Sequence, residues 1–181
     1  GHRHAVHAHV GAEVRVPESL ALAGRTVAQG GRLDLAIPLV EEGIQILKNA
    51  QDAGLVTQPA TAQNPSGMCS CCGDCCGVLQ SIKMHPRPAE MVFSNHFAVV
   101  NEDLCTGCGS CLDRCQMEAL DLGINDVLEI NLDRCIGCGL CVTECPTGAL
   151  TLQLKDETQR RVPPVSGGQQ MMEMAKKRGV L

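Results

Sequence analysis

The chain has 181 residues and a formal net charge of −5, with 13 cysteines but only two aromatic residues, both phenylalanine. A negative charge argues against nucleic acid as a partner and favours basic partner proteins. No run of residues is long and apolar enough to insert into a membrane, and no export signal is visible. Because so many cysteines suit a reducing compartment, we expect a cytoplasmic protein whose small core is supported by bound metal.

Residues 1–60 predict a strand followed by two helices. Apolar and polar residues alternate over 10–16, which favours a strand, and a proline start and a glycine-pair end favour a helix over 17–29. A second helix is expected from Pro38 to Ala53, with a glycine directly after it. Four histidines near the start of the chain could bind a metal ion, although a polar arm is the simpler interpretation. They are His2, His4, His7 and His9.

Residues 61–95 are dense in cysteine. The stretch from Thr57 to Gly67 has two prolines and small polar residues, which predicts a loop or linker, and a short helix is expected after the cysteines. The five cysteines are Cys69, Cys71, Cys72, Cys75 and Cys76. They are candidate ligands of an iron–sulfur cluster or a zinc ion; the alternative is that some are buried apolar residues or ligands shared with another segment. Two histidines that follow, His85 and His96, could be ligands or hydrogen-bond donors, but each is expected to be a surface or structural histidine.

Two later cysteine runs share the spacing C-x2-C-x2-C-x3-C. Three thiolates two residues apart can wrap one loop around three corners of a four-iron cube, and the fourth points away to ligate the other cube. One 4Fe-4S cluster is therefore expected on Cys105, Cys108, Cys111 and Cys145. The other is expected on Cys135, Cys138, Cys141 and Cys115. Zinc ribbons and disulfides are the alternatives, but neither needs this pattern. The five remaining cysteines would suffice for a third four-thiolate site, with one left over.

The repeat extends beyond the cysteines, since Asp103–Gly109 matches Asp133–Gly139. The glycines in these loops allow positive φ angles and a close approach of backbone amides to cluster sulfides. Apolar stretches around each run predict strands that pair as hairpins. Residues 96–154 thus resemble the bacterial-type two-cluster ferredoxin domain, which implies an α+β fold with pseudo-two-fold βαββαβ topology. One departure is Gln116, which stands where that motif usually has proline.

The resemblance continues upstream of this domain. The segments Ile46–Val56, Gln58–Pro59 and His85–Pro88, together with the cysteine-dense segment, are similar to the 4Fe-4S dicluster iron–sulfur proteins of anaerobic bacteria. From about residue 40 to residue 181 the chain resembles the C-terminal half of those proteins. The resemblance implies electron transfer, and family members usually carry a further N-terminal region with more cysteines.

Residues 155–181 form a region of different character. The polar, proline-containing stretch 155–165 predicts an extended linker, and a helix is expected from Gln169 to Arg178. Three methionines could dock this helix on a partner or, as we expect, on the body of the protein. They are Met171, Met172 and Met174.

These features predict an electron carrier, or an electron-relay subunit of a larger oxidoreductase complex, whose partners are redox proteins. The thiolates hold iron, and no motif for acid–base catalysis or phosphate binding is present, so the chain is not expected to be an enzyme on its own. The first alternative is an enzyme component with an open-coordinate cluster at Cys69–Cys76. The second is a protein that senses oxygen or redox state.

Overall fold

The computed structural model describes residues 33–63, 65 and 67–180. The predicted strand over 10–16, the helix over 17–29 and the four N-terminal histidines lie outside these residues. The elements of the described part are α1 (Leu33–Asp52), β1 (Val56–Pro59), β2 (Met68–Cys71), α2 (Gly77–Met84), β3 (His96–Val100), β4 (Leu120–Leu122), β5 (Leu128–Ile130), α3 (Leu140–Glu144), β6 (Leu150–Leu154) and α4 (Gly167–Lys177).

Helix α1 begins at Leu33, so Pro38, the predicted start, lies inside the helix. It ends one residue before the predicted end, and the glycine stop is confirmed. Gly54 adopts a φ of 77°, a left-handed conformation that glycine takes without a Cβ penalty. The amide of Leu55 then donates to the carbonyl of Ala50 at 3.0 Å and closes the helix end.

The first part of the predicted loop from Thr57 to Gly67 is wrong, because residues 56–59 form strand β1. This strand pairs antiparallel with β2, and Gln58 lies opposite Cys69 in the register. Pairing with β2 satisfies backbone groups that the local composition assigns to a loop. As a result, the first two cysteines of the dense segment lie on a strand, not in an irregular loop.

Helix α2 follows the dense segment as expected and inserts its apolar side chains into the main core. Leu79 is completely buried and Ile82 nearly so, while Val78 is 61% exposed. This first apolar cluster joins residues that precede position 96 with residues of the region 96–154. Its members are Val56, Leu79, Ile82, Met117, Ala119, Ile136 and Leu140. Burial of a leucine side chain contributes about 1.5–3 kcal/mol to the free energy of unfolding. The cluster therefore anchors the residues before position 96, here called the upstream segment, on the region that contains the two cysteine runs.

Two antiparallel strand pairs frame the cysteine runs. Strand β3 pairs with β6, the last strand of the region, and β4 pairs with β5. The end of the second run forms helix α3. The corresponding part of the first run forms turns, because the backbone amides of Leu112 and Cys115 donate to the carbonyls three residues before them, those of Gly109 and Leu112. A second apolar cluster lies between the strand pairs and includes Ala98, Leu128 and Leu150.

The residues before each run make the same local hydrogen bonds. The side chain of Asn101 accepts from the Asp103 amide at 3.1 Å, and that of Asn131 accepts from the Asp133 amide at 3.1 Å. The backbone amide of each asparagine also donates to an alanine carbonyl in the other half of the repeat. Asn101 donates to Ala149 and Asn131 donates to Ala119, both at 2.8 Å. The sequence repeat is therefore also a repeat of backbone interactions.

The C-terminal region returns to the body before it reaches α4. Two hydrogen bonds hold the linker to the body. The side chain of Asn95 donates to the Arg161 carbonyl at 3.0 Å, and the backbone amide of Gln63 donates to the Pro164 carbonyl at 2.9 Å. Helix α4 has a serine N-cap, Ser166, but none of its residues is buried, and Met171 is 71% exposed. The expected docking of its methionines on the body is therefore wrong. Within the described residues, no helix combines the length and apolar character needed to cross a bilayer.

Candidate metal centres

The first cavity, of about 350 Å³, lies between the loop 105–111 and the turn at residues 145–147. Four predicted ligands line it: Cys105, Cys108, Cys111 and Cys145. Three belong to the first run and the fourth to the second run. Leu122, Leu128 and Leu150 contribute an apolar wall, so the thiols face a space that is shielded on one side from water.

The second cavity, of about 380 Å³, has the reciprocal composition. Its predicted ligands are Cys135, Cys138, Cys141 and Cys115. Here the fourth cysteine comes from the first run, so the two cavities exchange one cysteine each. Arg114 and Gln116 also line this cavity, whereas the first cavity has no charged lining residue among those described.

Two glycines fix the loops that enclose the cavities. Gly107 and Gly137 adopt φ angles of 64° and 66°, which are left-handed values, as the sequence predicts. A Cβ atom at either position would collide with a backbone carbonyl oxygen, that of Asp126 beside Gly107 and that of His96 beside Gly137. The absence of a side chain therefore lets each loop close directly against a neighbouring strand or hairpin.

Hydrogen-bond donors at the first cavity favour the thiolate forms of two cysteines. The Ser110 amide and hydroxyl both bond to the Cys108 sulfur and lower the pKa of that thiol. Burial raises the pKa of Cys145, but bonds from the Thr147 hydroxyl and the Leu150 amide outweigh it, so the net shift is downward. Because iron binds the thiolate, these donors prepare the sulfurs for ligation.

Backbone amides also donate to cysteine sulfurs at the second cavity. The Ala119 amide donates to the Cys115 sulfur at 3.2 Å, and the Ala98 amide donates to the Cys135 sulfur at 3.5 Å. Burial raises the pKa of the Cys141 thiol to about 12, so metal binding at this position must displace a proton. Donors to ligand sulfur stabilise negative charge and raise the reduction potential of a bound cluster.

The donor sets fit four-iron clusters. Each cavity offers four thiols and no competing carboxylate or imidazole among its lining residues. In the described part of the chain, no three His, Cys, Asp or Glu side chains meet closely enough to hold a single metal ion. Four thiolates around a cube each bind a different iron atom, so they surround a volume and do not converge on one point.

The same part of the chain matches known iron–sulfur families. Residues 98–152, which contain all eight of these cysteines, match a family described as a 4Fe-4S dicluster domain. Residues 98–152 form a 4Fe-4S ferredoxin-like domain. A second family with the same description matches residues 127–179 of the chain, which extend beyond the ferredoxin-like domain into α4.

One curated relative supports the same assignment over a shorter stretch. The chain is 48% identical over 33 residues to a probable ferredoxin from Methanosarcina thermophila. The aligned stretch is 18% of this chain and covers 57% of the relative. The likeness therefore concerns a short stretch of this chain and a little over half of the relative.

The cysteines of the dense segment contact one another in a group of two and a group of three beside the ferredoxin-like domain. The sulfurs of Cys72 and Cys75 lie 3.1 Å apart, and the thiol of Cys71 forms hydrogen bonds with those of Cys69 and Cys76. Burial and these neighbours raise the pKa of Cys71 to about 12. The predicted third cluster or zinc ion stays a prediction.

Gln116 connects this segment to the ferredoxin-like domain. Its side-chain oxygen accepts from the Gly73 amide at 2.8 Å, and its side-chain nitrogen donates to the Gly54 carbonyl at 3.0 Å. The neighbouring Arg114 donates to the Asp52 carbonyl at 2.9 Å and pairs with Glu144. A proline at position 116 would have no side-chain groups for these bonds, which explains the departure from the ferredoxin motif.

The two candidate histidines do not line either cavity. The Nδ1 atom of His85 accepts from the Arg87 amide at 3.1 Å, and His96 is an exposed residue of β3, so His85 has a structural hydrogen bond and His96 a surface position, as expected. Sequence reasoning missed Ser110 and Thr147 as donors to cysteine sulfur. The available signal was their shared position, since each hydroxyl residue stands two places after a ligand cysteine.

Proposed function

We propose that the chain is an electron-transfer protein that holds two 4Fe-4S clusters by crossed ligation. One cluster is held by Cys105, Cys108, Cys111 and Cys145. The other is held by Cys135, Cys138, Cys141 and Cys115. The observation that carries this proposal is the exchange of one cysteine between the two cavities, which is how two-cluster ferredoxins use this spacing. The dicluster family match and the ferredoxin relative support it.

The two halves of the ferredoxin-like domain form a pseudo-two-fold unit in this proposal. The matched bonds around Asn101 and Asn131 support that symmetry. Cys111 of the first cavity and Cys141 of the second belong to one buried apolar cluster, so the two centres are neighbours. Each bound cluster can accept and release one electron, and the apolar packing between the centres keeps water out of the path between them.

Electron exchange with a partner takes place at the first cavity. Cys108 is exposed there, together with Pro146 and Thr147, so a docked protein can approach the centre closely; at the second cavity Cys138 is the exposed ligand. The second cavity has the upstream segment attached through Arg114 and Gln116. Redox proteins with a basic face are the expected partners of this acidic chain, either free in the cytoplasm or within a larger complex.

The experiment is anaerobic isolation followed by iron and sulfide analysis and electron transfer to a one-electron acceptor protein. Two clusters require about eight iron atoms per chain, and a third four-iron cluster at Cys69–Cys76 requires about twelve. The proposal predicts about eight, with reversible bleaching of visible absorbance when electrons are added. Folded protein that contains no iron, or that turns over a small substrate but reduces no acceptor protein, would contradict it.

A further inference from the structure

The cysteine-dense segment contains a close thiol pair that electron transfer through the two cavities does not use. Cys72 and Cys75 have C-x2-C spacing, and their sulfurs are 3.1 Å apart. A disulfide bond is about 2.05 Å long, so a small rotation of these side chains would bring the sulfurs to bonding distance. Cys72 is only 8% exposed, whereas Cys75 lies on the surface.

We propose that Cys72 and Cys75 form a dithiol–disulfide couple that receives electrons from the second centre and reduces an organic disulfide. The inference rests on the proposed electron-transfer function and adds a chemical reaction to it. The contact between the two sulfurs places them near the distance that a reversible disulfide requires.

The surroundings of the pair restrain it in this geometry. The amides of Asp74 and Cys75 form hydrogen bonds with the Cys72 sulfur and hold it beside the Cys75 sulfur. The side chain of Gln80 donates to the Asp74 carbonyl and ties the turn to helix α2. The exposed Cys75 can meet a substrate, while the buried Cys72 stays behind it as the resolving thiol.

Gln116 provides the connection between the pair and the second centre. It follows Cys115, a predicted ligand, and its side chain bonds to the amide of Gly73, which stands directly after Cys72. One hydrogen bond and a short stretch of covalent bonds therefore join the ligand to the dithiol. Cys71 and Cys76 also pack against the same apolar cluster as Cys115, so the cysteine-dense segment and the second cavity contact one shared set of buried side chains.

The reaction balances in two exchange steps. The Cys75 sulfur attacks the substrate disulfide, forms a mixed disulfide and releases the first substrate thiol. The Cys72 sulfur then attacks the Cys75 sulfur, which forms the Cys72–Cys75 disulfide and releases the second substrate thiol. Two electrons from the ferredoxin-like domain, one from each centre, and two protons from solvent at Cys75 restore the dithiol. The net change is conversion of one disulfide to two thiols.

The first test is anaerobic treatment of the iron-loaded protein with glutathione disulfide, followed by alkylation and peptide mass spectrometry. The expected product is one disulfide between Cys72 and Cys75, with iron content unchanged. The control variant Cys69→Ser should form it equally well, because Cys69 bonds to the Gln58 carbonyl and not to the pair. Tightly bound zinc, or four additional iron atoms released only when Cys72 and Cys75 are alkylated, would overturn the proposal.

The second test assigns the roles of the two sulfurs. In Cys72→Ser, glutathione should remain trapped on Cys75 as a mixed disulfide, since the resolving thiol is gone. In Cys75→Ser, little glutathione should be trapped because the remaining Cys72 is buried. Equal trapping by both variants, or by neither variant, would contradict the assignment.

The third test measures coupling through Gln116 as a positioning residue. Reduced protein is mixed with glutathione disulfide, and reoxidation of the clusters is followed by visible absorbance. Gln116→Leu should lose most of this reoxidation while it still reduces a one-electron acceptor, and Gln116→Glu, which keeps an oxygen acceptor for Gly73, should recover it. If wild type reduces the one-electron acceptor but not glutathione disulfide, this inference fails and the proposed function stands. If neither is reduced, the proposed function fails too.

Discussion

Each of the two cavities is lined by four cysteines of its own, but their surroundings differ. The first is rimmed by exposed Cys108 and by the hydroxyl residues Ser110 and Thr147. The second contacts Arg114 and Gln116, which bond to the carbonyls of Asp52 and Gly54 in the upstream segment. An internal repeat thus supplies two equivalent ligand sets, and a segment outside the repeat makes them inequivalent. On this difference rests the proposal that partner exchange takes place at the first centre and internal transfer at the second.

The largest effect is expected from Cys115→Ala, which removes a proposed ligand that lies in the first run but lines the second cavity. The second cluster should be lost, and iron content should fall from about eight to about four atoms per chain. Iron analysis and EPR of the reduced variant measure this change, with Cys69→Ser as the matched control. Loss of the first cluster with the second intact would refute crossed ligation.

Leu79→Ala should affect the second centre more than the first. Leu79 is fully buried in the apolar cluster against which Cys115 and Cys135 pack. The cavity left by truncation should lower the free energy of unfolding by about 2–5 kcal/mol. Anaerobic urea unfolding of the iron-loaded protein measures the loss. The adjacent control Val78→Ala, at a position that is 61% exposed, should change stability by about 0.5 kcal/mol or less; equal losses in both variants would argue against this packing.

Gly137→Ala separates steric collision from backbone strain. Gly137 and Gly148 both have a φ of 66°, but a Cβ at Gly137 would meet the His96 carbonyl, whereas nothing lies within 4 Å of a Cβ at Gly148. Gly148→Ala should cost about 1–2 kcal/mol from the left-handed conformation alone. Gly137→Ala should cost about 2–5 kcal/mol and reduce iron retention at the second centre. Urea midpoints and iron content distinguish them, and equal costs would show that the close contact does not matter.

The smallest effect is expected from Arg114→Gln, which removes a positive charge beside the second cavity only. An added electron should then be less stabilised, so the reduction potential of the second centre should fall while that of the first stays unchanged. Potentiometric EPR titration measures both. Arg87→Gln is the control, because Arg87 pairs with Glu90 and Asp133 and lines neither cavity. A parallel fall in both potentials would contradict the assigned asymmetry.

The ferredoxin-like domain was largely predictable from sequence, because cysteine spacing and glycine position are local constraints. The positive φ angles of Gly107 and Gly137 and the grouping of Cys115 with Cys135 both follow from that spacing. The β1–β2 pairing was not predictable, because composition alone does not show that Gln58 lies opposite Cys69. The side chain of Gln116 bonds to Gly54 and Gly73, which are far from it in sequence. The sequence therefore showed that glutamine replaces the usual proline, but not which contacts the glutamine makes.

The central claim is that two neighbouring four-iron clusters occupy the two cavities, and EPR of the fully reduced, anaerobically isolated protein tests it most directly. Two centres whose ligands Cys111 and Cys141 share one buried cluster should interact magnetically. The account predicts a broadened, interacting spectrum at full reduction, simple signals at partial reduction and about eight iron atoms per chain. A single isolated signal at full reduction, or folded protein without iron, would contradict it.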